Sequence, residues 1–108
     1  MTSLSLPMLR HYALDIPGIA HGFFGRQGGV STGIHGGLNV GFGSDDDRAA
    51  VAENRARATR ALGFDPATLT TVHQIHSIDV VTVRQAIPHA AAPKADGLVT
   101  DRPGIVLG

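Results

Sequence analysis

Residues 71–83, Thr71-Val-His-Gln-Ile-His-Ser-Ile-Asp-Val-Val-Thr-Val83, place two histidines and a glutamine in a run that otherwise has the composition of a buried strand. Thr, Val and Ile dominate the run, which argues for extended backbone over helix. Successive side chains on a strand alternate between faces. Thr70, Val72, Gln74 and His76 then point one way, and Thr71, His73, Ile75 and Ser77 the other. His73 and His76 cannot share one metal ion on such a strand, whereas Gln74 and His76 form a polar pair on one face. On spacing alone His76 reads either as a hydrogen-bonded core histidine or as a ligand.

Outward from this segment, Ile78 to Arg84 continues as an extended run after a bend at Ser77, and Gln85 to Lys94 forms an exposed connection with two prolines. Ala95 to Thr100 is a further strand, followed by the Pro103-Gly104 turn and an apolar run at Ile105. Upstream, Asp65-Pro66 opens a turn into the central strand. A helix is expected from Arg48 to Leu62, capped by Asp45-Asp46-Asp47 and stopped by Gly63 at C′. Val51, Ala58 and Leu62 line its inner side at 100° per residue, with Asn54 near the edge of that face. Arg55 falls close to the same side, where a guanidinium commonly bonds carbonyls or a carboxylate of a neighbouring loop. Glu53 and Arg57 are spaced for an i,i+4 pair.

Residues 22–43, GFFGRQGGVSTGIHGGLNVGFG, hold nine of the fourteen glycines. Phe23, Phe24, Val30, Leu38 and Val40 give the stretch apolar anchors, so it reads as a structured loop containing a short strand at Leu38 to Val40. Short strands are also expected at Leu9 to Ile16 and at Ile19 to Phe24, on either side of the Pro17-Gly18 turn. The loop lacks the Gly-Lys-Ser/Thr of a P-loop and does not run as GxGxxG into a helix, which argues against a nucleotide fingerprint. Arg26 lies among glycines and reads either as a clamp for an anionic substrate or as a surface arginine. Strands outnumber helices, giving an α/β (or α+β) class: a mixed sheet covered by helices in a single layered domain.

Composition narrows the function. Apolar residues make up 43% of the chain, enough for a core, and formal net charge is zero. Without a Lys/Arg run, a nucleic-acid or anionic-membrane surface has no electrostatic support. No segment approaches the roughly 18 consecutive apolar residues of a membrane span. The first residues lack the pattern of a secretory signal, and the expectation is a soluble cytoplasmic protein. There is no cysteine, hence no disulfide framework and no thiolate for a zinc site. Neutral charge and the lack of heptads leave the oligomeric state open. Because the chain stops in an apolar strand, residues 1–108 are expected to be the N-terminal part of a domain that continues.

Five blocks occur in order: HGFFGRQGGVSTG (21–33), GLNVG (37–41), AVAENRAR (50–57), QIHS (74–77) and ADGLVT followed by PG (95–104). Together they resemble the YfiH/laccase-domain family, bacterial proteins once described as polyphenol oxidases and later as purine nucleoside phosphorylases. The resemblance implies an α/β, zinc-dependent, cytoplasmic enzyme about twice this length. It further implies phosphate-dependent cleavage of adenosine, inosine and methylthioadenosine, and deamination of adenosine. The histidine of the Gln-x-His block is a zinc ligand in that family and falls on His76. The other ligands, a cysteine and a histidine, are expected beyond residue 108. Within this resemblance Arg26 is the candidate cation for inorganic phosphate, Asn39 a polar contact near the metal, and Gln74 the partner of His76. Gly25, His35 and Ser77 depart from the residues usual at their positions. Copper-dependent phenol oxidation, amidase action on cell-wall precursor peptides, and a non-catalytic binding module are the alternatives.

Overall fold

In a computed structural model describing residues 6–108 the elements are short, and side chains take over much of the bonding that longer strands would provide. The fold is mixed α/β, in agreement with the sequence. Its elements are β1 (Met8–Leu9), β2 (Phe23–Phe24), α1 (Arg48–Ala61), β3 (Leu69–Thr70), β4 (Val80–Thr82), β5 (Gly97–Val99) and β6 (Val106–Leu107). β1 pairs antiparallel with β2, while β3 with β6 and β4 with β5 are parallel pairs. The chain divides into two compact units, residues 1–63 and 64–108.

The first unit is built around α1. The helix begins at Arg48 with Asp47 as N-cap and ends at Ala61, and Gly63 follows with φ +91°, as its position after the helix requires. The acidic run works differently from the expected cap. Asp47 makes no side-chain cap bond. The Asp45 carboxylate instead lies 2.7 Å from His35 Nε2, and the Asp46 carboxylate accepts from the Ser31 hydroxyl and from Asn39 Nδ2. These bonds, the Ser31 hydroxyl first, hold the Asp46 carboxyl below the usual carboxylate range. The run thus anchors the loop that precedes the helix.

The inner side of α1 is wider than the expected apolar stripe. Val51, Asn54 and Thr59 are fully buried, whereas Ala58 and Leu62 are only half-buried. Thr59 is buried without leaving its hydroxyl unpaired, because Oγ1 donates to the Arg55 carbonyl one turn back. Asn54 is drawn inward by the loop. Its Oδ1 accepts from Val30 N–H at 2.8 Å, and its Nδ2 donates to Ser31 Oγ at 2.9 Å and to the Asn39 carbonyl at 2.8 Å. Arg55 does bond a loop carbonyl, with Nε 2.7 Å from Val40 O, and both Arg48 and Arg55 lie over the Phe42 ring. Burial lowers the Arg55 pKa. The Glu53–Arg57 pair forms at 2.8 Å, and Arg57 Nη1 also reaches the Gly28 carbonyl.

The glycine-rich loop folds on itself without the expected strand at Leu38 to Val40. Leu38 N–H donates to Arg26 O, and Ser31 and Gly37 exchange both backbone bonds. Gly29 and Gly37 are required by this crossing. A Cβ on Gly29 would strike the Gly37 carbonyl, and one on Gly37 would strike the Arg26 carbonyl. The other expected strands of this unit are shorter than the sequence suggests. The first is reduced to Met8–Leu9, followed by a 3-10 turn over Tyr12–Leu14, and the second to Phe23–Phe24.

In the second unit Val83, Ala95 and Thr70 are buried. The Thr70 hydroxyl accepts from Ile87 N–H, which lets a polar residue sit at zero exposure.

Replacing Asn54 with Ala removes three hydrogen bonds, one buried and two part-buried, and with them the ties of Val30, Ser31 and Asn39 to the helix. We expect a loss of about 2–3 kcal/mol in urea unfolding. Glu53→Ala, at a half-exposed pair, should leave the unfolding midpoint nearly unchanged.

Candidate functional site

The segment expected to be one central strand is interrupted. β3 ends at Thr70, His73 forms an isolated bridge with Lys94, and β4 begins only at Val80. The chain advances from His73 to Val80 while its parallel partner advances only from Lys94 to Gly97. Residues 74–79 are therefore extruded from the ladder as a bulge. Alternation cannot operate across such an interruption, so strand periodicity does not put Gln74 and His76 on a shared face. Both are exposed because the bulge carries them out.

The bulge is closed by a residue that the sequence did not single out. The carboxylate of Asp96, immediately before β5, faces the backbone of three consecutive residues. Oδ1 accepts from Ile75 N–H at 3.1 Å, from Ser77 N–H at 2.8 Å and from the Ser77 hydroxyl at 2.8 Å. Oδ2 accepts from His76 N–H at 3.2 Å. The parallel register brings Asp96 there, because Asp96 and Gly97 N–H both donate to Asp79 O, just before β4. Ser77 Oγ also accepts from Asp79 N–H, tying the end of the bulge to the start of the strand. The donors, led by the Ser77 N–H and hydroxyl, hold the Asp96 carboxyl at about 2.

His76 has φ +59°, the one positive φ at a non-glycine residue among the described residues. Left-handed backbone is uncommon for residues with a Cβ, though histidine, like Asn and Asp, adopts it more readily than most. The carboxylate below the turn compensates for this conformation.

The remaining sequence-derived candidates lie in the first unit. Arg26 is exposed, and its side chain has no hydrogen bond or ion pair among the described residues. Its backbone carbonyl closes the glycine-rich loop. Asn39 is half-buried with its amide fully engaged: Nδ2 donates to Ser44 Oγ and Asp46 Oδ2, and Oδ1 accepts from Gly41 N–H. It is a tie within the loop. Of the other histidines, His73 is exposed and bonds through its backbone, while His21 Nε2 accepts from His11 N–H.

His76 fits one place in a metal's ligand set, an exposed imidazole on a backbone held from behind. Among the described residues, no group of three or more His, Cys, Asp or Glu stands together to hold a metal ion. No described helix is long and apolar enough to cross a membrane.

The family model described as multi-copper polyphenol oxidoreductase laccase matches residues 20–108, and the chain belongs to that family. It is 44% identical over 110 residues to a purine nucleoside phosphorylase of Deinococcus radiodurans, covering 99% of this chain and 39% of the relative. It is 41% identical to the purine nucleoside phosphorylase ORF3 of Streptomyces griseus, covering 93% and 42% respectively. The chain thus spans about two fifths of the length of these curated relatives. Among solved structures, YlmD from Geobacillus stearothermophilus superposes with a TM-score of 0.74 at 34% identity, covering 80% of this chain and 34% of that one. The Bacillus licheniformis protein YfiH superposes with the same TM-score at 29% identity, covering 80% and 35%.

A carboxyl held low by folded-state donors stabilises its turn above its unfolded pKa, and that contribution disappears as pH falls through the folded value. For Asp96 the window runs from the ordinary 3.8 down to about 2. Amide shifts of Ile75, His76 and Ser77 should titrate together with a midpoint near 2. Three unrelated midpoints, or a common one near 3.8, would contradict the bonding described.

Proposed function

We propose that the chain is the N-terminal part of a cytoplasmic, zinc-dependent enzyme acting on purine nucleosides. Its reactions are phosphorolysis of adenosine, inosine and methylthioadenosine, and deamination of adenosine. The observation that carries the reading is His76, an exposed imidazole presented from a clamped bulge, in a chain whose relatives are named purine nucleoside phosphorylases. The rest of the single domain, with the further ligands, would come from sequence beyond residue 108.

Phosphorolysis forms a bond between a phosphate oxygen and C1′ of the ribose while the bond from C1′ to the base nitrogen breaks, and the base leaves with that electron pair. The chain must therefore hold an anion, and must orient the nucleoside. Arg26 is our choice for the phosphate, since its guanidinium can give two parallel N–H bonds to two phosphate oxygens. Asn39, expected as a polar contact near the metal, has its amide bonded to Ser44, Asp46 and Gly41, and in this reading it acts by fixing the loop that carries Arg26. Gln74, exposed on the same bulge two residues before His76, has an amide that both donates and accepts and suits a base edge or a ribose hydroxyl. Zinc held in part by His76 would supply a polarising centre and a water acidic enough to serve deamination.

Copper is the second metal to consider, because the family's description names it and imidazole ligands accept it readily. The metal content of the full-length protein from unsupplemented cells distinguishes the two.

The full-length protein should release hypoxanthine from inosine only when phosphate is present. His76→Ala should lose most of its zinc and at least about a hundredfold in kcat/KM, on the scale of removing a principal electrostatic group from an active site. Retention of both metal and activity would refute the assignment. Arg26→Ala should raise KM for phosphate about tenfold or more, with Arg26→Lys recovering part of the loss. An unchanged KM would remove Arg26 from the phosphate site.

A further inference from the structure

We propose that Asp96 is a positioning residue for His76: by binding the N–H groups of residues 75–77 from behind, it fixes the left-handed backbone that presents the imidazole for metal binding. This rests on the reading of His76 as a metal ligand. A tight turn alone would not need this arrangement. Glycine adopts φ near +59° freely, so a purely structural turn would be served best by glycine at position 76. Here a residue with a Cβ occupies the strained position, and four donors converge on one carboxylate to keep it there. All four donors that Asp96 accepts from belong to residues 75–77, three backbone N–H groups and the Ser77 hydroxyl, so its carboxylate acts on the turn that carries His76. Holding the turn in advance spares the metal from ordering it, which is how partners behind a ligand raise affinity.

The division of bonds makes the proposal specific. Oδ1 serves Ile75 and Ser77, and Oδ2 serves His76 alone. In Asp96→Asn the amide oxygen can stay on Ile75 and Ser77, but an NH2 group then faces the His76 N–H, donor against donor. The side-chain volume hardly changes.

The test uses the full-length protein and two readouts, residue-level amide exchange in the zinc-free form and zinc affinity by competition with a chelating indicator. For Asp96→Asn we expect exchange at the His76 amide to accelerate about tenfold or more, beyond any change at Ile75 and Ser77. Zinc affinity should fall about 10–100-fold. A freed His76 amide with zinc affinity within twofold of the parent overturns the positioning role, and unaltered exchange overturns the clamp. His76→Ala, measured alongside, separates this proposal from the one beneath it. If that variant keeps full zinc affinity, His76 is not a ligand and the proposed site fails, whatever the exchange data show of the clamp. Should Asp96→Asn not fold, Ser77→Ala removes one of the four donors and leaves the carboxylate in place. It should loosen the same amides and weaken zinc severalfold, and no change in either readout overturns the proposal.

Discussion

The carboxylate of Asp96 on the backbone of Ile75, His76 and Ser77 is the constraint on which the second unit's functional geometry depends. Three successive N–H groups turned to one side form a concave donor surface, and such a surface needs an anion. The anion comes from the residue immediately before β5, placed there by the parallel register with β4. If the register moved by one residue, Asp96 would leave the turn and the other face of the strand would turn toward it. The site is therefore tied to strand pairing, although none of its exposed residues lies in a strand.

The first unit follows the same physical pattern with different groups. Strands of two residues offer few backbone bonds, so the irregular segment between β2 and α1 must find partners elsewhere. Asn54 gives the loop an acceptor and two donors from within the helix face, and Asp46 gathers Ser31 and Asn39 from the other side. Both hubs are charged or polar side chains at positions where an apolar residue would leave backbone or hydroxyl groups unmatched. A polar network of this kind is stabilising only when every member is bonded, so single losses within it are costly.

Local signals were legible and long-range ones were not. The helix, its Gly63 stop and the Glu53–Arg57 pair follow from neighbours along the chain, and they appear where the periodicity puts them. Periodicity puts Asn54 only at the edge of the inner face, because its burial depends on a loop far from it in sequence. The bulge at residues 74–79 was hidden for a related reason. A Thr/Val/Ile-rich run satisfies strand composition throughout, and only the partner segment at residues 94–97 reveals that the ladder is broken. Strand alternation, which on sequence sets His76 apart, does not exist at the bulge. The exposure of His76 comes from the bulge, and its conformation from an aspartate twenty residues away.

The most direct test is a crystal structure of the full-length protein with anomalous data collected on both sides of the zinc absorption edge. We expect a zinc peak with an imidazole nitrogen of His76 at about 2.0–2.1 Å, and the Asp96 carboxylate still seated on the amides of residues 75–77. A metal bound elsewhere, with His76 turned to solvent, would contradict that expectation.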